Sequence, residues 1–150
     1  MAQNFFVRVK EAGLDGILVV DLPLEEGKHF STLCKDNEIA QILLVTPATS
    51  DARLAVIVEQ ASGFIYYVCH KGTTGARSQL PHDFKSNMQR IKALTKVPVV
   101  AGFGISSREM AQEVLFDADG FVVGSKLVST IESNASPAEL KQLVKTLKPE

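Results

Sequence analysis

Three glycine-rich turns are the places in this sequence where a backbone could grip an anion: Gly102-Phe103-Gly104-Ile105-Ser106, Gly124-Ser125 and Lys71-Gly72-Thr73-Thr74-Gly75. Glycine lets a backbone N–H approach a ligand with no side chain in the way, and it tolerates positive φ. Gly102 and Gly104 sit just ahead of a helix start signalled by Ser106 and Glu109, which fit a capping box. Gly124-Ser125 opens a further short helix through Lys126–Ile131. The N-terminus of a helix offers unpaired N–H donors and the positive end of a dipole, so the two turns together suit a phosphate dianion. One such turn would be no more than a tight reversal; two in succession, with a third glycine-rich loop, favour the anion site. The polar stretch Lys71–Pro81, with two glycines, two threonines and Arg77, is long enough to be a lid over a ligand, the alternative being an ordinary surface loop.

Other groups could carry chemistry at the same strand ends. His70 has a side chain that titrates near neutrality, and it follows Cys69. Neighbouring strand residues point to opposite faces, so the two do not make a nucleophile–base pair, and contact with a charged ligand is the better reading of His70. Tyr66 and Tyr67 must likewise face opposite ways, and spacing alone leaves open which is core and which meets a ligand. His29 and His82 read as surface or packing residues. Three scattered histidines and two cysteines show no metal-ligand spacing, and no metal is expected.

The elements that must position these groups alternate along the chain. Short, continuously apolar runs at Gly16–Val20, Gln41–Val45, Phe64–Val68, Val97–Ala101 and Gly120–Val123 suit strands buried in a parallel sheet. Between them, Leu24, Phe30, Leu33 and Cys34 form one helical stripe, and Phe84, Met88, Ile91 and Leu94 a cleaner one. The last helix, with Leu140, Leu143, Val144 and Leu147, is announced by Ser136, Pro137 and Glu139. Strand starts recur every ~20–35 residues, a βα repeat length, compatible with an open doubly wound sheet or with most of a barrel. Helix character at Asn4–Ala12 has no strand ahead of it, so the chain reads as if it opens after an omitted strand. No linker or low-complexity segment divides it, and a single domain over residues 1–150 is expected.

Composition excludes more than it identifies. Sixteen Lys and Arg balance seventeen Asp and Glu, giving a net charge of −1 and no basic surface for nucleic acid. The apolar runs are strand-sized, far short of a bilayer span, and the N-terminus lacks a signal-peptide pattern. Cys34 and Cys69 make no disulfide framework and fit a reducing cytoplasm.

Asp15-Gly16-Ile17-Leu18-Val19-Val20-Asp21-Leu22-Pro23, Gly63-Phe64-Ile65-Tyr66-Tyr67-Val68, Gly72-Thr73-Thr74-Gly75-Ala76-Arg77, Gly102-Phe103-Gly104-Ile105-Ser106 and Gly124-Ser125 follow one another in an order that resembles the tryptophan synthase α-chain family. The resemblance runs from about Phe6 to the last helix. It implies an α/β fold, a partial (β/α)8 TIM barrel of parallel strands four to eight with the N-terminal strands missing. It also implies a lyase that cleaves indole-3-glycerol phosphate to indole and glyceraldehyde 3-phosphate, has no cofactor of its own, and passes indole to a PLP-dependent β chain in an α2β2 complex. By the same resemblance Leu18, Val20 and Val45 would line the indole pocket with Phe103 packing near it. Tyr66 would stand in the active site, Thr74 and Gly75 in the closing loop, and Gly104, Gly124 and Ser125 on the phosphate with Gly75 and Gly102 nearby.

Two departures accompany the match. Cys69-His70 stands where the family usually has Ser-Arg, removing one permanent charge from the edge of the phosphate site. The family's catalytic glutamate and aspartate would lie before Met1, so no catalytic residue is assigned in this chain, and alone it is expected to be inactive. Asp21, at the barrel mouth, would support the site and neighbour the β-chain face. Open sheet edges suggest self-association. The competing readings are another phosphate-binding barrel, of the indole glycerol phosphate synthase or phosphoribosylanthranilate isomerase kind, and a non-catalytic phosphate-binding module acting on a β chain.

Overall fold

The computed structural model describes residues 2–69 and 79–149. Twelve elements alternate within them: α1 (Ala2–Glu11), β1 (Gly16–Leu18), α2 (Lys28–Asp36), β2 (Ala40–Val45), α3 (Asp51–Gln60), β3 (Ile65–Val68), α4 (Phe84–Lys92), β4 (Val99–Gly102), α5 (Arg108–Leu115), β5 (Gly120–Val122), α6 (Ser125–Glu132) and α7 (Pro137–Leu147). The five strands are parallel and lie in the order β1-β2-β3-β4-β5. A doubly wound sheet reverses its strand order at a switch point, whereas this sheet never does. Its core also has one side only: Val45, Ile65, Tyr67, Val99 and Ala101 of the strands share a cluster with Leu54 and Ile57 of α3, Met88 and Ile91 of α4, and Ala111 and Val114 of α5. Sequential parallel strands with their helices outside make half of a (β/α)8 barrel. A smaller cluster of Phe6, Val9, Cys34 and Ile39 seats α1 on α2.

Local chemistry explains the boundaries. In α7 the Ser136 hydroxyl accepts from the Glu139 N–H at 3.3 Å while the Glu139 carboxylate accepts from the Ser136 N–H at 2.7 Å, the capping box read from the sequence. At α5 the expected cap moves by one residue: Ser107, not Ser106, accepts from the N–H three residues on, Met110. β4 begins at Val99 rather than Val97, because Pro98 has no N–H and the Val97 N–H donates to Thr95 Oγ1. β1 ends at Leu18 rather than Val20; Val19 and Val20 leave the sheet with 41% and 68% of their surface exposed. Helix α3, with its Ser50 cap and buried Leu54 and Ile57, fills the interval between β2 and β3.

The register separates two sheet faces. Leu44, Tyr66 and Val100 lie abreast, as do Val68, Gly102 and Val122. These point away from the helices, toward what would be the barrel interior, and most are half-buried where their helix-side neighbours are fully buried.

Candidate functional site

The C-terminal ends of the strands bring most of the described site residues to one rim. Leu18 ends β1 on the interior face, two residues from Gly16, which sits against Ala40 and Ile42 of that same face. Tyr66 lies on the interior face of β3, and its phenol covers Gly102 on β4. A Cβ at Gly102 would come within 2.6 Å of Tyr66 Cζ and 2.9 Å of Cε2, and closer still to the hydroxyl, so glycine is what lets the ring lie there. The ambiguity between the two tyrosines is thereby resolved in geometry: Tyr67 packs into the helix layer, its ring 6.2 Å from that of Phe84, while Tyr66 faces the interior. Burial raises the pKa of the Tyr66 phenol, with the neighbouring Cys69 adding to the rise, so the hydroxyl is a neutral donor at physiological pH.

Beyond β4 the chain passes through Gly104 at φ +71°, a left-handed backbone that side chains resist. Beyond β5, Gly124 caps α6 without a side-chain hydrogen bond, and Ser125 is the first helical residue. Gly124 has a negative φ of −110°, and a Cβ there would meet nothing within 4 Å. Neither backbone strain nor packing therefore requires a glycine at 124. What its bare Cα does provide is open access to the first N–H groups of α6, which the helix itself leaves unpaired.

Two assigned residues face the other way. Val45 is fully buried and abreast of Tyr67, and Phe103 is 6% exposed; both belong to the sheet–helix core rather than to the interior face. The alternation of the strands puts them there: Val45 follows interior-facing Leu44, and Phe103 follows interior-facing Gly102. Sequence reasoning passed over Leu44, Val68 and Val100, which share the interior face with Tyr66. Counting by twos from Tyr66 and pairing across the sheet would have found them. Val20 stands apart on the β1–α2 connection, where with Asp21, Leu44, Thr49 and Arg53 it lines an open cleft of ≈ 420 Å³. Thr74 and Gly75, with His70, Arg77 and most of the expected lid, lie outside the described residues.

Cys69 lacks the exposed, stabilised thiolate that a nucleophile needs. Its thiol is buried and burial pushes its pKa up to about 12, with a backbone hydrogen bond pulling the other way and Asp83 adding to the rise. Among the described residues no group of three or more His, Cys, Asp or Glu could hold a metal ion, and no helix is long and apolar enough to cross a membrane.

Five sequential parallel strands with their helices on one face place the chain in the class of (β/α)8 barrels. Comparison with known proteins narrows the class. The family described as tryptophan synthase alpha chain matches residues 1–149. A tryptophan synthase alpha chain of Coxiella burnetii (strain CbuK_Q154) is 47% identical over 146 residues, covering 97% of this chain and 57% of that relative. That of Methanocaldococcus jannaschii is 42% identical over 132 residues, covering 88% of this chain and 47% of the relative. A structure of the tryptophan synthase α2β2 complex of Pyrococcus furiosus superposes with a TM-score of 0.88 at 39% identity, covering 98% of this chain and 60% of that one. The chain belongs to the tryptophan synthase alpha chain family, and it spans about half the length of the relatives it matches.

Proposed function

We propose that this chain carries the phosphate-binding half of the active site of a lyase that cleaves indole-3-glycerol phosphate to indole and glyceraldehyde 3-phosphate. The observation that carries the reading is the pairing of family membership with the two C-terminal turns at Gly104 and Gly124-Ser125. In this reading the amide groups of Gly104, Gly124 and Ser125 hold the substrate's phosphate, with Gly102, Thr74 and Gly75 nearby. Leu18 and Tyr66 border the indole, and Val20 lies at the edge of that pocket. Val45 and Phe103 support it from behind, through the strands that carry Leu44 and Gly102. The family match favours this substrate over those of other phosphate-binding barrels.

Cleaving the bond between indole C3 and the glycerol chain requires a proton delivered to C3 and one removed from the adjoining hydroxyl. The residues of this chain bind and orient, and none of them is assigned to those transfers. The 150-residue chain alone is therefore expected to bind the phosphate end of its substrate with little or no turnover. Indole release measured with the isolated chain tests the second half of this expectation, and turnover near that of a full-length α chain would overturn it. Titration with glycerol 3-phosphate followed by amide NMR tests the first: shifts centred on Gly104, Gly124 and Ser125 are expected, and shifts centred elsewhere would refute the site. The partner in this reading is a PLP-dependent β chain in an α2β2 assembly, and the α chain needs no cofactor of its own. Such a protein would work in the cytoplasm.

A further inference from the structure

Between the β1–α2 connection, helix α2 and strand β2 lies a cavity of ≈ 10 Å³ whose walls are apolar apart from Ser31 and Gln41. The Ser31 hydroxyl is buried and meets no protein partner. Other helical hydroxyls find a carbonyl of the preceding turn: Thr32, Thr130 and Thr146 donate four residues back, and Ser86 and Ser129 three residues back. Ser31 forgoes that bond with Gly27 although its N–H donates to the same carbonyl at 2.8 Å. Gln41 extends from β2 into the helix layer, where its strand neighbours Leu43 and Val45 are apolar. It is 7% exposed, and its hydrogen bonds with Ser62 run through its main chain, so its side chain is left to line the cavity. A buried hydroxyl left unpaired is costly, and the cavity it shares with Gln41 has room for one water molecule.

We propose that Ser31 and Gln41 hold a single ordered water, which ties helix α2 to strand β2. The β1–α2 connection runs straight into α2 and is held by short-range bonds, Glu26 N–H to Pro23 and Gly27 N–H to Leu24, and by the ion pair of Glu25 with Arg53 of α3 at 2.7 Å. It carries Val19, Val20 and Asp21 at the edge of the larger cleft, so the water steadies the helix into which that part of the rim runs.

The test uses the 150-residue chain. Water–protein NOE measurements, or a high-resolution crystal structure, should find a long-lived water about 3 Å from both Ser31 Oγ and the Gln41 carboxamide. Ser31→Ala should lower the Tm by roughly 2–4 °C and speed hydrogen exchange at the Glu26 and Gly27 amides, while exchange in β4 stays as it was. A dry cavity with the Ser31 hydroxyl turned onto the Gly27 carbonyl overturns the proposal, as does a Ser31→Ala protein of equal or higher Tm. Should that variant fail to fold, the measurement on the unmodified chain still decides.

Discussion

Single residues set the shape of the rim. Tyr66 and Gly102 are the clearest pair, because a phenol lies where any side chain on β4 would need to be. Gly102→Ala should displace the Tyr66 ring and lower stability by about 1 kcal/mol, the low end for overpacking, because the half-buried ring can swing into the open interior. Chemical denaturation gives the stability change, and the Tyr66 ring resonances report the displacement. Unmoved resonances would mean that the two residues are not in contact. In the sequence this relation was half visible: consecutive tyrosines had to part ways, but which one met the helices depended on the register of β3 against α4. Val45 and Phe103 show the same gap from the other side. A family pattern assigned them to the pocket, whereas strand alternation in this chain turns their side chains into the core.

Elements were legible where side chains speak to the backbone next door. The capping box of α7 follows from short-range rules and stands where the sequence put it, as do Phe84, Met88 and Ile91 of the α4 stripe, whereas Leu94 lies beyond the helix and is exposed. The one-residue slip from Ser106 to Ser107 has a local cause, since two adjacent serines offer equal caps and the turn before them chooses. What local rules miss are ties between distant elements. Asp119, just ahead of β5, accepts from the Val99 N–H at 2.8 Å and from Lys92 Nζ at 2.7 Å, pinning the start of β4 to the end of α4. Partial burial pushes its carboxyl pKa up, but Lys92 and the Val99 N–H together outweigh this and hold it below the ordinary value. A carboxylate with a depressed folded-state pKa stabilises the fold above its unfolded pKa, and the contribution fades as pH falls through the folded value. Asp119→Ala should therefore cost roughly 1 kcal/mol at neutral pH, discounted for a pair that is more than a third exposed. That difference should shrink below about pH 3.8. Urea titrations of both proteins across pH 3–7 check the sign, and a cost that grows toward acid would contradict it.

At the scale of the whole molecule, the sheet formed by the described residues has two edges unpaired among them, β1 and β5, and an interior face that they leave half-buried. Unpaired edges seek partners. The isolated 150-residue chain should consequently self-associate with rising concentration, through β1 of one copy and β5 of another, and analytical ultracentrifugation should show a mass that climbs accordingly. A strictly monomeric species over the whole range would show the edges to be protected. The barrel class itself could not be read from periodicity, because an open sheet and a closed one share the same alternation. The strand order, which no stretch of sequence spells out, made the difference.

That order has a consequence for how the protein is made. Each strand's neighbour is the one synthesised just before it, so the sheet can be laid down vectorially, one βα unit at a time, as the polypeptide leaves the ribosome. No strand waits for a later one to be threaded between it and its neighbour. Most pairings span only the length of one unit, which keeps the entropic toll of loop closure low for a parallel sheet.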